Sequence, residues 1–396
     1  MGLRIGPTTP NVIVSQSIVY TDEWQRPAEW MPMPDITPGE QKIATLYGVY
    51  ENDYNQMSVR FITSPSNGTI DWGDGVSESI GNTARKDHVY DYSSLTGSVY
   101  QDEWGDNYKQ VMIYISGSGG TTNYIEFPSS AAYNSPGSRN ILDYTFSWDG
   151  NTYLNTIQNM PKCQRFRYLA SNLGVNVNSY YSGDFVNLRY LELPSGSSIT
   201  SAQSLFQTLG PVTNAPDLYL SNTGTSLIMF AYAKFKKWGN VTIDSSTNFT
   251  QMFYLSAVQE IGGVTGSACT NASSMVQACY SLQKIGTLHL PALQNMTSMF
   301  NSCYALQEIV FTDCSVVTTT TNAFSSCQSL RSLRMPGIAT SFTIASCALQ
   351  RDALVALFND LATTTATITI TGNPGVPDLS AADLAIATDK GWTVTS

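Results

Sequence analysis

The chain has 396 residues, of which 42% are apolar and 13% charged, with a formal net charge of −10. That length exceeds one ordinary core and implies two or three domains, and the low charge share leaves Ser, Thr, Asn, Gly and Tyr to make the surface. Net acidity without a basic stripe argues against nucleic acid as a partner, because nothing is available to displace counterions from phosphates.

In MGLRIGPTTPNVIVSQSIVYTDEW no apolar stretch of secretory-signal length comes after the single Arg. No transmembrane run occurs further on either. The expectation is a product made in a cytosol, without membrane insertion, that can still act outside a cell. Residues 1–40 hold six prolines, Pro7, Pro10, Pro27, Pro32, Pro34 and Pro38. Proline fixes φ and removes an amide donor, so this segment reads as an extended anchoring arm, held against another part of an assembly such as a second subunit.

Residues 41–128 read as all-β: KIATLYGVY, MSVRFIT, GTIDWGDGVSESI, DHVYDY, KQVMIYISG and TTNYIEF are separated by Asn, Gly and Ser turns. Ile70-Asp71-Trp72-Gly73-Asp74-Gly75, then His88-Val89-Tyr90, then the strand Val111-Met112-Ile113-Tyr114-Ile115 resemble a PKD-like β-sandwich. The resemblance implies a spacer or contact module with Trp72 in the core and Gly73 and Gly75 in a tight turn. Residues 129–160 are a Ser/Asn/Gly-rich linker ending in ILDYTFSW, a candidate N-terminal cap for the segment beginning at residue 161.

Between residues 161 and 347 a repeat dominates. Doublets at Leu205-Phe206, Met229-Phe230, Met252-Phe253, Met275-Val276, Met299-Phe300 and Ala323-Phe324 recur at intervals of 24, 23, 23, 24 and 24. An LxxLxL pattern accompanies them at Leu188/Leu191/Leu193, Trp238/Val241/Ile243, Ile285/Leu288/Leu290, Leu306/Ile309/Phe311 and Leu330/Leu333/Met335. It suits a short strand with alternate side chains inward, although its offset from the doublet shifts by two or three residues between coils. Four residues after each doublet's first member stands Leu209, Ala233, Ser256, Cys279, Cys303 or Cys327, a small core column. One coil of 23–24 residues cannot bury its own apolar face, so the coils must stack as a solenoid. NMTSMFNSCYALQEIVF (Asn295 to Phe311) and TTTNAFSSCQSLRSLRM (Thr319 to Met335) resemble BspA-type leucine-rich repeats. That family occurs on bacterial surface proteins and in phage virions, and the resemblance implies a surface-binding fold without catalytic residues.

Residues 348–396 form the C-terminal cap. LQRDALVALFNDLA reads as an amphipathic helix with Leu354, Leu357, Phe358 and Leu361 on one side, ATITITGNPGV as strand and turn, and LSAADLAIATDKGW as a second helix. Ser380 is its N-cap and Gly391 its stop, before a terminal strand WTVT.

Residues for chemistry are few. Seven cysteines without a CxxC pair favour neither a disulfide framework nor zinc, and the two histidines, His88 and His289, are 201 positions apart. Asp71 with Asp74, Asp102 with Glu103, and Asp313 are the carboxylate candidates for glycoside hydrolysis. Asp71 and Asp74 also offer oxygens to Ca²⁺, though turn acids of this kind more often bond their own backbone. Five NxS/T triplets, at Asn67, Asn240, Asn248, Asn271 and Asn295, read as chance in a Ser/Thr-rich chain. The 22 tyrosines and 7 tryptophans, among them Tyr50, Tyr54, Trp104 and Tyr180-Tyr181, favour protein or glycan contacts.

The expected whole is a multi-domain, β-rich, non-enzymatic bacteriophage virion protein, in a tail fibre, appendage or capsid decoration. It would use no cofactor, assemble with other virion proteins through the arm, be present in many copies, and touch a host-surface protein or glycan. A secreted BspA-like adhesin and a virion-associated glycan depolymerase are the alternatives.

Overall fold

The computed structural model describes residues 24–53, 55–62, 67–80, 85–118, 124–126, 139–148, 153–156, 160–169, 185–193, 206–213, 216–220 and 226–396. The chain is β-rich and carries a β-solenoid of about nine turns, with two α-helices among the described residues, Arg351–Asp360 and Ala381–Thr388.

Its first part is organised around the strand Lys42–Tyr50, buried almost throughout. Antiparallel partners lie on both sides, Asn107–Ser118 and Ile141–Ser147. Alternation explains why both faces are apolar. Ile43, Tyr47 and Val49 join the core shared with Met57 and Val59 of a second sheet, while Ala44, Leu46 and Tyr50 face the other way. That outer face is covered by residues 24–40, whose Trp30 and Ile36 are 5% and 2% exposed. The described portion of the Pro-rich arm is therefore a strap across its own sheet; residues 1–23 lie outside the described residues. Arg26 Nε pairs with Asp143 Oδ2 at 2.6 Å, Met31 N donates to Gln110 Oε1 at 2.7 Å, and Ser147 Oγ donates to Thr37 O at 3.0 Å.

Strand pairing runs across the positions 128/129 and 160/161. Ile141–Ser147, read as a candidate N-terminal cap at the end of the linker, is buried at every position, and Tyr153–Thr156 pairs with Tyr124–Glu126 in the second sheet. Ile141–Ser147 is antiparallel to Lys42–Tyr50 on one edge and parallel to Arg165–Tyr168 on the other, which in turn pairs with Tyr190–Glu192. One eight-stranded sheet thus runs from the N-terminal part into the first coils. The reason is compositional: ILDYTFS supplies apolar residues to both faces, which a solvated linker could not bury.

In the coils, parallel ladders replace long strands. Lys237–Trp238, Glu260–Ile261 and Lys284–Ile285 form one ladder; Leu218–Leu220, Val241–Ile243, Val264–Thr265 and Leu288–His289 form another. Between the two ladders the chain turns at Gly239, Gly262 and Gly286, where backbones touch. A Cβ on Gly262 would come within 2.7 Å of Gly239, and one on Gly286 within 2.6 Å of Gly263 N. This corner accounts for the drifting LxxLxL offset. Leu288 bridges to Phe311, but Ile285 and Leu288 are three residues apart whereas Ile309 and Phe311 are two apart. With one corner residue fewer, both ladders end, and the strand Glu308–Val310 pairs with Ser332–Arg334 in a two-stranded sheet of its own.

The doublets set coil-to-coil register. Phe230 N donates to Met252 O (2.6 Å), Phe253 N to Met275 O (2.8 Å), Val276 N to Met299 O (3.0 Å) and Phe300 N to Ala323 O (2.9 Å). Each such segment turns through two left-handed residues, for example Ser298 and Ser302 with φ of 54° and 62°. Serine and Asn tolerate that region better than Ile, which nevertheless occupies it at Ile228 with φ 48°.

Three NxS/T triplets prove to be structural. Asn248, Asn271 and Asn295 bridge one another across coils, and the side-chain oxygen of each accepts from the amide two residues on, at 2.9, 3.0 and 2.9 Å. They are Asx turns at one repeat position, so their spacing comes from the coil period. Replacing Asn271 or Asn295 by Ala should cost about 1 kcal/mol each, read from the shift in a denaturant midpoint.

The cap keeps the expected order. Helix Arg351–Asp360 buries Leu354, Leu357 and Phe358, and Ser380 caps the second helix in a reciprocal box with Asp383. Gly391 has φ 91°, and Trp392–Thr395 pairs in parallel with Ala366–Thr369, itself paired with Phe342–Thr343. The parallel stack therefore continues to the last strand, with helices replacing the turns on one side.

Candidate binding cleft

The repeat residues line the interior. Met229, Phe230, Met252, Phe253, Met275, Met299, Phe300 and Cys303 are all 0% exposed, Phe324 1% and Phe206 9%; Leu205 lies outside the described residues. The thiol column also does something the sequence did not suggest. Cys279 Sγ donates to Phe253 O (2.9 Å), Cys303 Sγ to Val276 O (3.1 Å) and Cys327 Sγ to Phe300 O (3.2 Å), stitching each coil to the one before. Burial pushes the Cys279 thiol up to about 11 and that of Cys327 to about 12, and raises that of Cys303 well above the ordinary value. Thiols so raised stay protonated and poorly nucleophilic. All seven cysteines are free and buried. At pH 8 native protein should therefore react negligibly with an aromatic disulfide reagent over minutes, whereas unfolded protein should titrate seven thiols. Prompt native labelling of a column cysteine would contradict this placement.

Asp71 and Asp74 serve a turn. Asp71 Oδ1 accepts from Gly73 N at 2.9 Å, Asp74 Oδ1 accepts from Val76 N at 3.1 Å, and Asp74 Oδ2 pairs with His88 Nε2 at 2.7 Å. His88 stacks on the buried Trp72 ring at 4.9 Å, and Tyr90 Oη donates to Trp72 O at 2.8 Å. Gly73 is obligatory, with φ 82° and a Cβ position 2.4 Å from Met112 O. Among the described residues no three His, Cys, Asp or Glu side chains converge as metal ligands. Asp313 likewise closes an Asx turn, onto Ser315 N at 2.8 Å, and His289 is exposed beside Thr312 Oγ1 at 2.9 Å.

Asp102 leads to a different place. Its Oδ1 accepts from Trp104 N and Asp106 N, both at 3.0 Å, and fixes a loop with Gly105 at φ 87°. Opposite this loop stand the turn after Tyr50, the Arg139–Asn140 entry to the buried strand, and the first coil turns at Pro161–Lys162 and Val186–Asn187. Together they enclose a cleft of about 470 Å³ where the N-terminal sheets meet the solenoid.

Lys162 lies in this cleft with 20% of its side chain exposed, its Nζ 3.2 Å from the Tyr50 ring centre and 3.3 Å from Asp102 Oδ2. Burial lowers its pKa, with Asp102 opposing. Tyr50 is 3% exposed, and its pKa is raised first by burial and then by Asp102 and Tyr108. The Asp102 carboxylate is near enough to act on Tyr50 Oη, yet that hydroxyl completes no hydrogen bond of good geometry among the described residues. The 1%-exposed Asn140 donates to Asp53 Oδ2 at 3.3 Å, while its own Oδ1 has no completed bond there. At the rim the Trp104 indole is 59% exposed. Tyr50, Trp104 and Asp102 were legible as contact aromatics and a polar-loop acid. Lys162, Arg139 and Asn140 were not, because nothing local marks residues that converge from separate turns.

A second exposed feature lies on the coils. Tyr280 and Tyr304, 52% and 43% exposed, stack at 5.6 Å and 11°, and Tyr232 meets Tyr254 edge-on at 5.8 Å.

No protein-family model, curated protein or solved structure matches this chain.

Proposed function

We propose that the chain is a structural display protein of a bacteriophage particle, in a tail fibre, appendage or capsid decoration, presenting its solenoid outward for contact with a host-surface protein or glycan. In this reading the N-terminal sheets are a PKD-like module and the coils BspA-type leucine-rich repeats. It is a binding protein and not an enzyme. The observation that supports it best is an interior of stacked apolar and thiol columns beneath a sparsely charged polar surface that exposes paired tyrosines. A rod of this kind holds contact groups in fixed register, and repeated copies would add weak contacts into a strong one.

Mass spectrometry of particles purified from the host that carries this sequence tests the reading. Recovery of the chain at several copies per particle is expected. Its absence from particles overturns the assignment, and recovery from the cell envelope alone would favour an exported adhesin. Polysaccharide cleavage by the purified chain would replace a display role with a depolymerase.

A further inference from the structure

We propose that one ladder face of the solenoid pairs with the same face of a second copy of this chain, antiparallel about a two-fold axis, in a register fixed by charge. The inference does not depend on the display reading. The face is built at one repeat position. Lys237 is in register with Glu260 and Glu260 with Lys284, and Gln307 N donating to Gln283 O at 3.2 Å sets Glu308 in the following coil. Four successive coils therefore carry positive, negative, positive and negative side chains in one column, at about 4.8 Å per coil.

Ion pairing within the chain accounts for only part of this column. Lys237 Nζ lies 3.4 Å from Glu260 Oε2. Among the described residues the exposed Lys284 makes no ion pair, and Glu308, also exposed, accepts only from Ser332 Oγ, at 3.3 Å. Reversal makes an alternating column of four complementary to itself. With the two-fold axis between the coils of Glu260 and Lys284, Lys284 of each copy meets Glu260 of the other, and Lys237 of each meets Glu308 of the other. Every charge then faces its opposite. Parallel pairing in register sets Lys237 on Lys237 and Glu260 on Glu260, and an antiparallel shift by one coil sets Lys237 on Lys284, so both are repelled. A parallel stagger by one coil leaves three contacts and no symmetry.

The edge column one position after the small core column fits the same overlap. Lys234, Ala257, Tyr280 and Tyr304 are all exposed there, and the two tyrosine rings stack on each other. Reversed about the same axis, Tyr280 falls at the level of Ala257 and Tyr304 at the level of Lys234, a large side chain against a methyl group and a ring against a cation. Four coils span only about 20 Å, so the contact belongs at the small end of specific interfaces and should be reversible and salt-sensitive.

The test is sedimentation equilibrium of the full chain. At about 50 mM salt a monomer–dimer equilibrium with a Kd of about 100 μM or tighter is expected, weakened about five-fold or more at about 500 mM salt. Lys284→Glu and Glu260→Lys should each weaken it about ten-fold or more, since the two-fold axis repeats each like-charge contact. Both positions are on the surface, so the melting temperature should move by no more than about 2 °C. Lys284→Glu combined with Glu260→Lys in one chain should return to within about three-fold of the parent, as should an equimolar mixture of the two single variants. A chain that stays monomeric to about 300 μM, single variants that associate like the parent, a double variant as weak as the singles, or species larger than the dimer would overturn the proposal. Particle recovery is a separate measurement, so a failed dimer and a failed particle assignment are told apart.

Discussion

Replacing Phe230 by Ala is expected to destabilise the solenoid by about 3–5 kcal/mol, the range for emptying a large aromatic site in a close-packed core. Phe230 is 0% exposed and sits where four rings meet. It stacks on Phe206 at 5.4 Å and Phe253 at 4.8 Å, and touches Trp238 at 4.6 Å and Phe235 at 5.8 Å. Those neighbours belong to three successive coils, so collapse around the void would have to move coils that backbone hydrogen bonds hold in register. In a stacked array stability is a sum of coil and nearest-neighbour terms, and the loss should therefore be local. Hydrogen exchange should show amides of residues 206–261 losing protection while those of 300–396 keep theirs. Tyr280→Ala, at an exposed stacked ring, is the control and should stay within about 0.5 kcal/mol of the parent. A Phe230→Ala loss below about 1 kcal/mol would mean that the ring column does not carry the coil interface.

The repeat was legible because it rests on side-chain identity at a fixed period: bulky apolar residues at the doublet and a small residue four positions later. The cap was legible for a related reason, since the Ser380 and Gly391 punctuation is local chemistry. What the sequence concealed depends on backbone meeting backbone across coils. The glycine corner at Gly239, Gly262 and Gly286 is defined by the coil above, and its disappearance before Phe311 left only a drift in the LxxLxL spacing. The same holds for Asn248, Asn271 and Asn295, where a hydrogen-bonding position resembled an accidental triplet. The joint between sheets and solenoid was obscured because ILDYTFS is too short to distinguish, by pattern alone, a cap from a strand buried on both faces. The cleft was least legible of all, since Tyr50, Trp104, Arg139 and Lys162 come from four turns up to 112 residues apart.

That joint carries the second large prediction. Asp143 is 0% exposed in the middle of the strand that both parts share. Its Oδ2 receives Arg26 Nε from the strap at 2.6 Å and Arg165 Nη1 from the first coil at 3.3 Å. Arg26 also donates to Trp30 O at 3.2 Å and to Met31 O, so one guanidinium shapes the strap and anchors it. Removing one partner of a buried ion pair typically costs ~3–5 kcal/mol, because the charge left behind loses its compensation. Here Arg26 and Arg165 keep 22% and 20% of their side-chain exposure and can recover some hydration, so Asp143→Ala should fall near the lower end, about 3 kcal/mol. The strap should respond before the rest: exchange at Met31 N, bonded to Gln110 Oε1, should rise at denaturant concentrations where the coils remain protected. Arg26→Met combined with Asp143→Asn separates the ion pair from the packing of Trp30. A coupling above about 1 kcal/mol in that double-mutant cycle is expected, since the two groups touch. Additive losses would mean that Trp30 and Ile36 hold the strap by burial alone, with Asp143 left to its Arg165 partner in the first coil.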